Sequence, residues 1–316
     1  MINGLKVKFL RSSKEDLFYF CRMNEYLKFL EGKARFSAWL IVFFILLITI
    51  PALLGSELKT AAKWFGGIVI LLLSTALWIW RTQTIRRVKR KARIPINLND
   101  RYWLNENIPF YKKLKSGDKK IFEDRIALFL AEVLITEVGK KVPEKSTCFY
   151  VASSAVIAFW GLPYWNYGDL SEVLVYQNDF SADNKPDPSG NFQGKVHHGG
   201  IMDSTMILSL PSLKRGFDLS RDGKNVGVHE FAHLLDKSDR SIDGIPFIIV
   251  DEERRIWAEL IEYYLKRKNI HEVIGQHAAS NPAEFFAALV ELFRENPERL
   301  RKRFPELFNL LDKKLS

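Results

Sequence analysis

The chain has 316 residues, enough for one or two domains with a buried core, and a formal net charge of +10. That excess sits at one end: residues 1–93 hold 17 lysines and arginines against 5 acidic residues, whereas residues 94–316 hold 30 against 32. The larger C-terminal part has no footprint for a polyanion, which excludes nucleic acid as its partner. Cys21 and Cys148 are the only cysteines, so there is neither a disulfide framework nor a cysteine metal site, and the chain suits a reducing compartment.

The first elements read as a membrane hairpin. Ser37–Gly55 is a run of 19 residues without a charge, and Trp64–Trp80 is another of 17; about 20 such residues cross about 30 Å of hydrocarbon as a helix. Trp39, Trp64, Trp78 and Trp80 stand near the ends of the runs, where indole rings favour the interface. A cleaved signal would begin near residue 1, but a charged segment comes first. Arg81–Arg93 carries seven positive charges and the segment before the first run eight, while the connecting loop has only Lys59 and Lys63. By the positive-inside rule both ends stay in the cytoplasm. The expectation is a membrane region over 1–93, with spans at about 37–55 and 64–80, anchoring a cytoplasmic domain over 94–316 to the inner (cytoplasmic) membrane.

Beyond the hairpin, Ile94–Asn99 reads as an extended exit. Apolar residues at helical spacing predict a helix over Ser116–Val138, and a small-residue-rich helix is expected across Ser146–Trp160. Glu172–Gln177 and Thr205–Leu210 are short, apolar and β-prone, the second stopped by Pro211, and read as strands. Phe180–His198, rich in Asp, Asn, Pro, Gly and Ser, is expected to be a loop. Helices follow around 224–236, at 250–269 and from about Pro282, where Asn281 is a good N-cap.

All six histidines lie beyond residue 196, so metal chemistry belongs to the C-terminal half. In His229-Glu-Phe-Ala-His233 the two histidines are one helical turn apart on one face, where both imidazoles reach the same ion. Glu230 projects to the side, placed to polarise water without being a ligand. Catalytic zinc takes three protein ligands and keeps a fourth position for water. A bare HExxH also arises by chance, but the flanking residues Val226, Val228, Phe231, Ala232, Leu234 and Leu235 are apolar, as a buried active-site helix requires. Asp236 follows His233 at i+3 and is placed either to accept a hydrogen bond from a ligand's second nitrogen or to pair with solvent.

The third ligand must come from elsewhere. An HExxHxxGxxH site would need glycine at 236 and histidine at 239; both positions are aspartate, which excludes that class. Glu252, Glu253, Glu259, Glu262, Glu284 and Glu291 remain as candidates. Glu284 stands out because it is enclosed between Ala283 and Phe285-Phe286, where a carboxylate is costly unless paired or bound to a cation. Glu291, seven residues on, shares its face and is the alternative.

Four ordered stretches carry a resemblance: VHEFAHLLD, DGIPF (Asp243–Phe247), AASNPAEFFAALVELF (Ala278–Phe293) and RFPELF (Arg303–Phe308). Together they resemble the Mlc titration factor A family of zinc-dependent peptidases, over roughly residues 120–312. The resemblance implies an α+β, zincin-like (gluzincin-like) metallopeptidase domain. It further implies zinc held by His229, His233 and Glu284, Glu230 as general base, and a peptide or protein substrate. It also implies a regulatory protein partner, a transcriptional repressor of sugar uptake. Two departures set the chain apart. Where the family carries a tyrosine seven residues before the ligand glutamate, this chain has His277, which can donate the same hydrogen bond to an oxyanion. The membrane hairpin is absent from the family's soluble members and leaves the regulatory partner open. His197–Gly200, before the second strand, is expected to line the cleft. The alternative to a membrane-anchored peptidase is a tethered binding or regulatory module with a structural or inactive zinc site.

Overall fold

The computed structural model describes residues 96–162, 167–179, 194–196, 204–219, 222–237, 243–267 and 270–316. The chain divides at Ile94/Pro95 into two units, and every described residue belongs to the second. The spans expected at 37–55 and 64–80 lie outside the described residues. Among those that are described, no helix is long and apolar enough to cross a membrane.

The domain opens with helices α1 (Leu98–Asn107), α2 (Pro109–Lys113) and α3 (Ser116–Glu132). The expected extended exit therefore stops at Asn97, because the Asn97 and Asp100 side chains accept from each other's backbone N–H and close a capping box. The helix expected to run to Val138 ends at Glu132, and Leu134–Glu137 is strand β1. Ile135 and Thr136 are β-branched and favour the extended ladder. Helix α4 (Lys145–Ala158) is buried all round from Thr147 to Ala158, which makes it the central helix of the core.

Strand β2 (Glu172–Tyr176) and strand β4 (Thr205–Ser209) stand where strands are expected, and β3 (Gly194–Val196) falls inside the stretch expected to be a loop. The sheet runs β1-β2-β4-β3. β1, β2 and β4 are parallel, with Val173 opposite both Ile135 and Met206, while β3 is antiparallel to β4 at the edge. The β1–α4–β2 crossover is what allows the parallel pair. Ser209 caps helix α5 (Leu210–Asp218), so Pro211 begins a helix as well as ending a strand.

The remaining helices are α6 (Val226–Asp236), α7 (Asp251–Leu265), α8 (Ile270–Ile274), α9 (Pro282–Glu295), α10 (Pro297–Arg303) and α11 (Pro305–Leu315). α6 lies between α4 and α9. Its rear face is fixed by Phe231, fully buried and edge-on to Phe129 at 5.6 Å and Tyr167 at 6.1 Å. In α9, Phe285 and Phe286 are fully buried against Phe304 and Trp257. The result is the mixed, helix-rich domain with a small sheet that the sequence implies.

Candidate metal centre

Two N-caps set the site. Asn225 Oδ1 accepts from Val228 N at 3.1 Å and starts α6; Asn281 Oδ1 accepts from Glu284 N at 3.0 Å and starts α9. His229 and His233 then fall on one face of α6. Glu284 falls in the first turn of α9. The loop between α6 and α7 ties these helices together. Gly244 donates its N–H to Asp236 Oδ2 at 3.0 Å, accepts at its carbonyl from Trp257 Nε1 at 2.7 Å, and packs on the Pro282 backbone. Asp236 is thus occupied by the loop rather than by a histidine ligand, while His233 Nδ1 is buried with no hydrogen-bond partner among the described residues.

One nitrogen of each histidine and one Glu284 oxygen lie within 4.8 Å of one another. His229 Nε2 is 3.0 Å from Glu284 Oε2, and His233 Nε2 is 3.4 Å from Glu284 Oε1. Donors about 2.0–2.1 Å from a tetrahedral ion lie about 3.3–3.4 Å apart. The spacing of the three side chains therefore fits an ion at their centre. Charge points the same way. His229 Nδ1 faces Glu291 Oε2 at 3.3 Å, so a neutral ring that donates there turns a lone pair, not a proton, toward Glu284. Two acceptors at 3.0 Å need a proton or a cation between them. Without an ion the proton takes that role: burial lowers the His229 pKa, but the hydrogen bonds to Glu284 and Glu291 override it and push it up to about 10. Burial likewise raises Glu284, yet His229, His233 and His277 together hold its carboxyl far below the usual carboxylate range.

Glu230, on the same turn as His229, is 7% exposed. Burial raises its pKa, opposed by His233 and His229, which suits a carboxylate that takes and returns a proton. His277, on the turn before α9, is largely exposed, and its Nε2 is 3.1 Å from Glu284 Oε2. That hydrogen bond raises its pKa. The structure thus brings His229, Glu230, His233, His277 and Glu284 to one place. Of the other glutamates weighed as ligands, only Glu291 reaches a histidine, and it does so at the ring nitrogen opposite Glu284. Glu252 and Glu259 are exposed, Glu253 pairs with Lys313 and Lys314, and Glu262 pairs with Lys266. His197–Gly200 lie outside the described residues.

The site opens onto a cleft of about 800 Å³. Its walls are the loop 222–224, α6, α8, the turn 275–278 and α9. Arg299 joins the walls, with Nη1 donating to Asp222 O at 3.3 Å and Nη2 to Val273 O at 2.8 Å. Sequence reasoning missed Asn225 and Gly244 as parts of the site. An asparagine before an apolar helix was a visible cap signal, whereas nothing local marks what Gly244 packs against.

The chain is similar to an uncharacterized protein of Synechocystis sp., 28% identical over 221 residues, which is 66% of this chain and 80% of that one. It is also similar to the Mlc titration factor A of Pectobacterium atrosepticum, 27% identical over 219 residues covering 64% and 77% of the two chains. The Mlc titration factor A of Escherichia coli is 33% identical over 156 residues, 43% of this chain and 56% of that one. A family model described as glucose-regulated metallo-peptidase M90 matches residues 80–314, a span that takes in both candidate metal-bearing helices. By that match the chain belongs to the glucose-regulated metallo-peptidase M90 family.

Proposed function

We propose that this chain is a membrane-anchored, zinc-dependent peptidase that hydrolyses peptide bonds in the cytoplasm. The observation that carries the reading is the meeting of His229, His233 and Glu284 within 4.8 Å, with buried Glu230 beside them. Two imidazoles and a carboxylate are the donor set of catalytic zinc with one position left open. Zinc held there supplies Lewis acidity, polarising a carbonyl and lowering the pKa of water to about 7. Glu230 accepts the proton of the attacking water and returns it to the leaving amine. His277, at the mouth of the site, donates a hydrogen bond to the oxyanion that forms from the substrate carbonyl. β3, an edge strand that packs against α6, gives an extended peptide a strand to add to.

Anchoring rests on the uncharged runs 37–55 and 64–80, and the basic flank Arg81–Arg93 supports, by the positive-inside rule, both ends in the cytoplasm. In fractionated cells the chain is expected to resist extraction from membranes by alkaline carbonate; release into the soluble fraction removes the anchor from the reading.

The test of the activity is direct. The purified chain is expected to hold one zinc per molecule and to cleave members of a broad peptide library. Chelation is expected to stop cleavage and added zinc to restore it. Stoichiometric zinc without cleavage of any peptide would favour a second reading, a tethered binding or regulatory module. One observation supports that alternative: relatives carry the name Mlc titration factor A, which speaks of a protein bound rather than a bond cut.

A further inference from the structure

Glu284 and Glu291 hold opposite nitrogens of one ring. His229 Nε2 is 3.0 Å from Glu284 Oε2 and His229 Nδ1 is 3.3 Å from Glu291 Oε2. Seven residues apart on α9, the two carboxylates share a helix face, and Ala288 lies between them in sequence. Glu291 therefore cannot face an ion that Nε2 faces. Its second oxygen is also engaged, because Oε1 accepts from the backbone N–H of Asn225. Asn225 is fully buried and is itself fixed from three sides. Its Oδ1 accepts from Val228 N at 3.1 Å, and its Nδ2 donates to Gly216 O at 3.2 Å and to Glu295 Oε1 at 3.1 Å. A Cβ on Gly216 would lie 3.0 Å from Asn225 Cα and Cγ, so the fit is close.

We propose that Glu291 is the positioning residue of the metal centre. It accepts the Nδ1 proton of His229, which keeps Nε2 as a lone pair for the ion, and it is itself held by the N-cap of α6. The inference rests on the metal-centre reading and deepens it: the cap that starts the metal-bearing helix also sets the protonation pattern of the first histidine ligand. The chemistry is in the donor count. Two N–H groups, from Asn225 and His229, meet two carboxylate oxygens. In Glu291→Gln the carboxamide offers one acceptor and two donor hydrogens. One of the two N–H groups then faces a donor, and only His229 can respond, by moving its proton to Nε2. That tautomer keeps its lone pair on Nδ1, on the side of the ring away from Glu284 and the ion.

The experiment is competition for zinc between the purified full-length chain and a chromophoric chelator, with nitrogen-15 NMR of the histidine rings in the wild type. Glu291→Gln is expected to weaken zinc binding by about 10–100-fold, and at least as much as Glu291→Ala, which admits water to Nδ1. In the zinc-loaded wild type, His229 is expected to carry its proton on Nδ1. Glu291→Gln with wild-type zinc affinity would overturn the proposal while leaving the peptidase reading intact. A His229 ring protonated on Nε2 in the zinc-loaded wild type overturns it without recourse to any variant. A wild type that binds no zinc overturns the metal-centre reading and this proposal together.

Discussion

No side chain fits between Gly227 and Ser154. A Cβ on Gly227 would lie 2.1 Å from Ser154 Oγ and 2.7 Å from Ser154 Cβ, so the backbone of the metal-bearing helix α6 sits directly on the Ser154 side chain of the central helix α4. Gly227 stands two residues before His229, and the depth of α6 at this point helps to set where the imidazoles sit. Gly227→Ala is expected to destabilise by about 1–3 kcal/mol through overpacking, although alanine gains up to about 1 kcal/mol in helix propensity. Thermal melting reads this as a loss of several degrees. Ser154→Gly in the same chain should restore part of it, because it removes two of the three atoms that a Cβ would meet, the third being Leu213 Cδ2 at 2.8 Å; a double variant no better than Gly227→Ala contradicts the contact.

Gly244 makes a second such demand. Its φ is +76°, and a Cβ there would meet Pro282 O at 2.4 Å. Gly244→Ala strains the backbone by about 1–2 kcal/mol before the clash is counted. Because this loop joins the end of α6 to the start of α9, zinc affinity is expected to fall along with the melting temperature. Full affinity with a lowered melting point would show that the loop supports the fold without holding the two helices in register.

His277 separates binding from turnover. Being exposed and outside the three-residue donor set, it can be replaced at little cost to folding. His277→Ala is expected to keep stoichiometric zinc and to lower kcat by about 100-fold, the lower end of the effect of removing one oxyanion donor. His277→Tyr should retain a substantial part of the rate. Loss of zinc in either variant would make this residue a ligand instead.

Much of this arrangement was legible in the sequence, and what was not has a physical reason. HExxH, the Asn281 cap and the apolar setting of Glu284 are local signals, and each placed its residue on the element where the structure has it. β1 reads in the sequence as the end of a helix because the apolar spacing of Ser116–Glu132 runs on without a break, and only the β-branched Ile135 and Thr136 argue otherwise. The three-residue β3 owes its state to pairing with β4, which no local pattern records. Asp236 illustrates the same limit. Its position one turn after His233 allows either a ligand partner or solvent pairing, and in the fold its Oδ2 accepts from the backbone N–H of Gly244 eight residues on.

Away from the metal, Glu137 gives a pH prediction. It is buried, which by itself would raise its pKa, but Lys140, the Glu144 N–H and Gln177 all bond the carboxylate and bring the value below the ordinary range. A folded pKa below the unfolded one stabilises at pH above the unfolded value, near 4.5, and that contribution is lost as pH falls through the folded value. Glu137→Gln is therefore expected to cost about 1–3 kcal/mol at pH 7 and progressively less below pH about 4.5. Melting curves of both chains across that range check the sign; a difference that grows on acidification contradicts it.

The measurement that bears most directly on the account is Glu230→Gln, read by zinc content and peptide cleavage on the same preparation. Glu230 bonds no ligand histidine, so the glutamine chain is expected to keep one zinc per molecule and the wild-type melting temperature. Peptide hydrolysis is expected to fall by at least about 100-fold, since the group that moves the proton is gone. Hydrolysis at the wild-type rate with zinc retained would contradict the account, because the chemistry would then not run through this site.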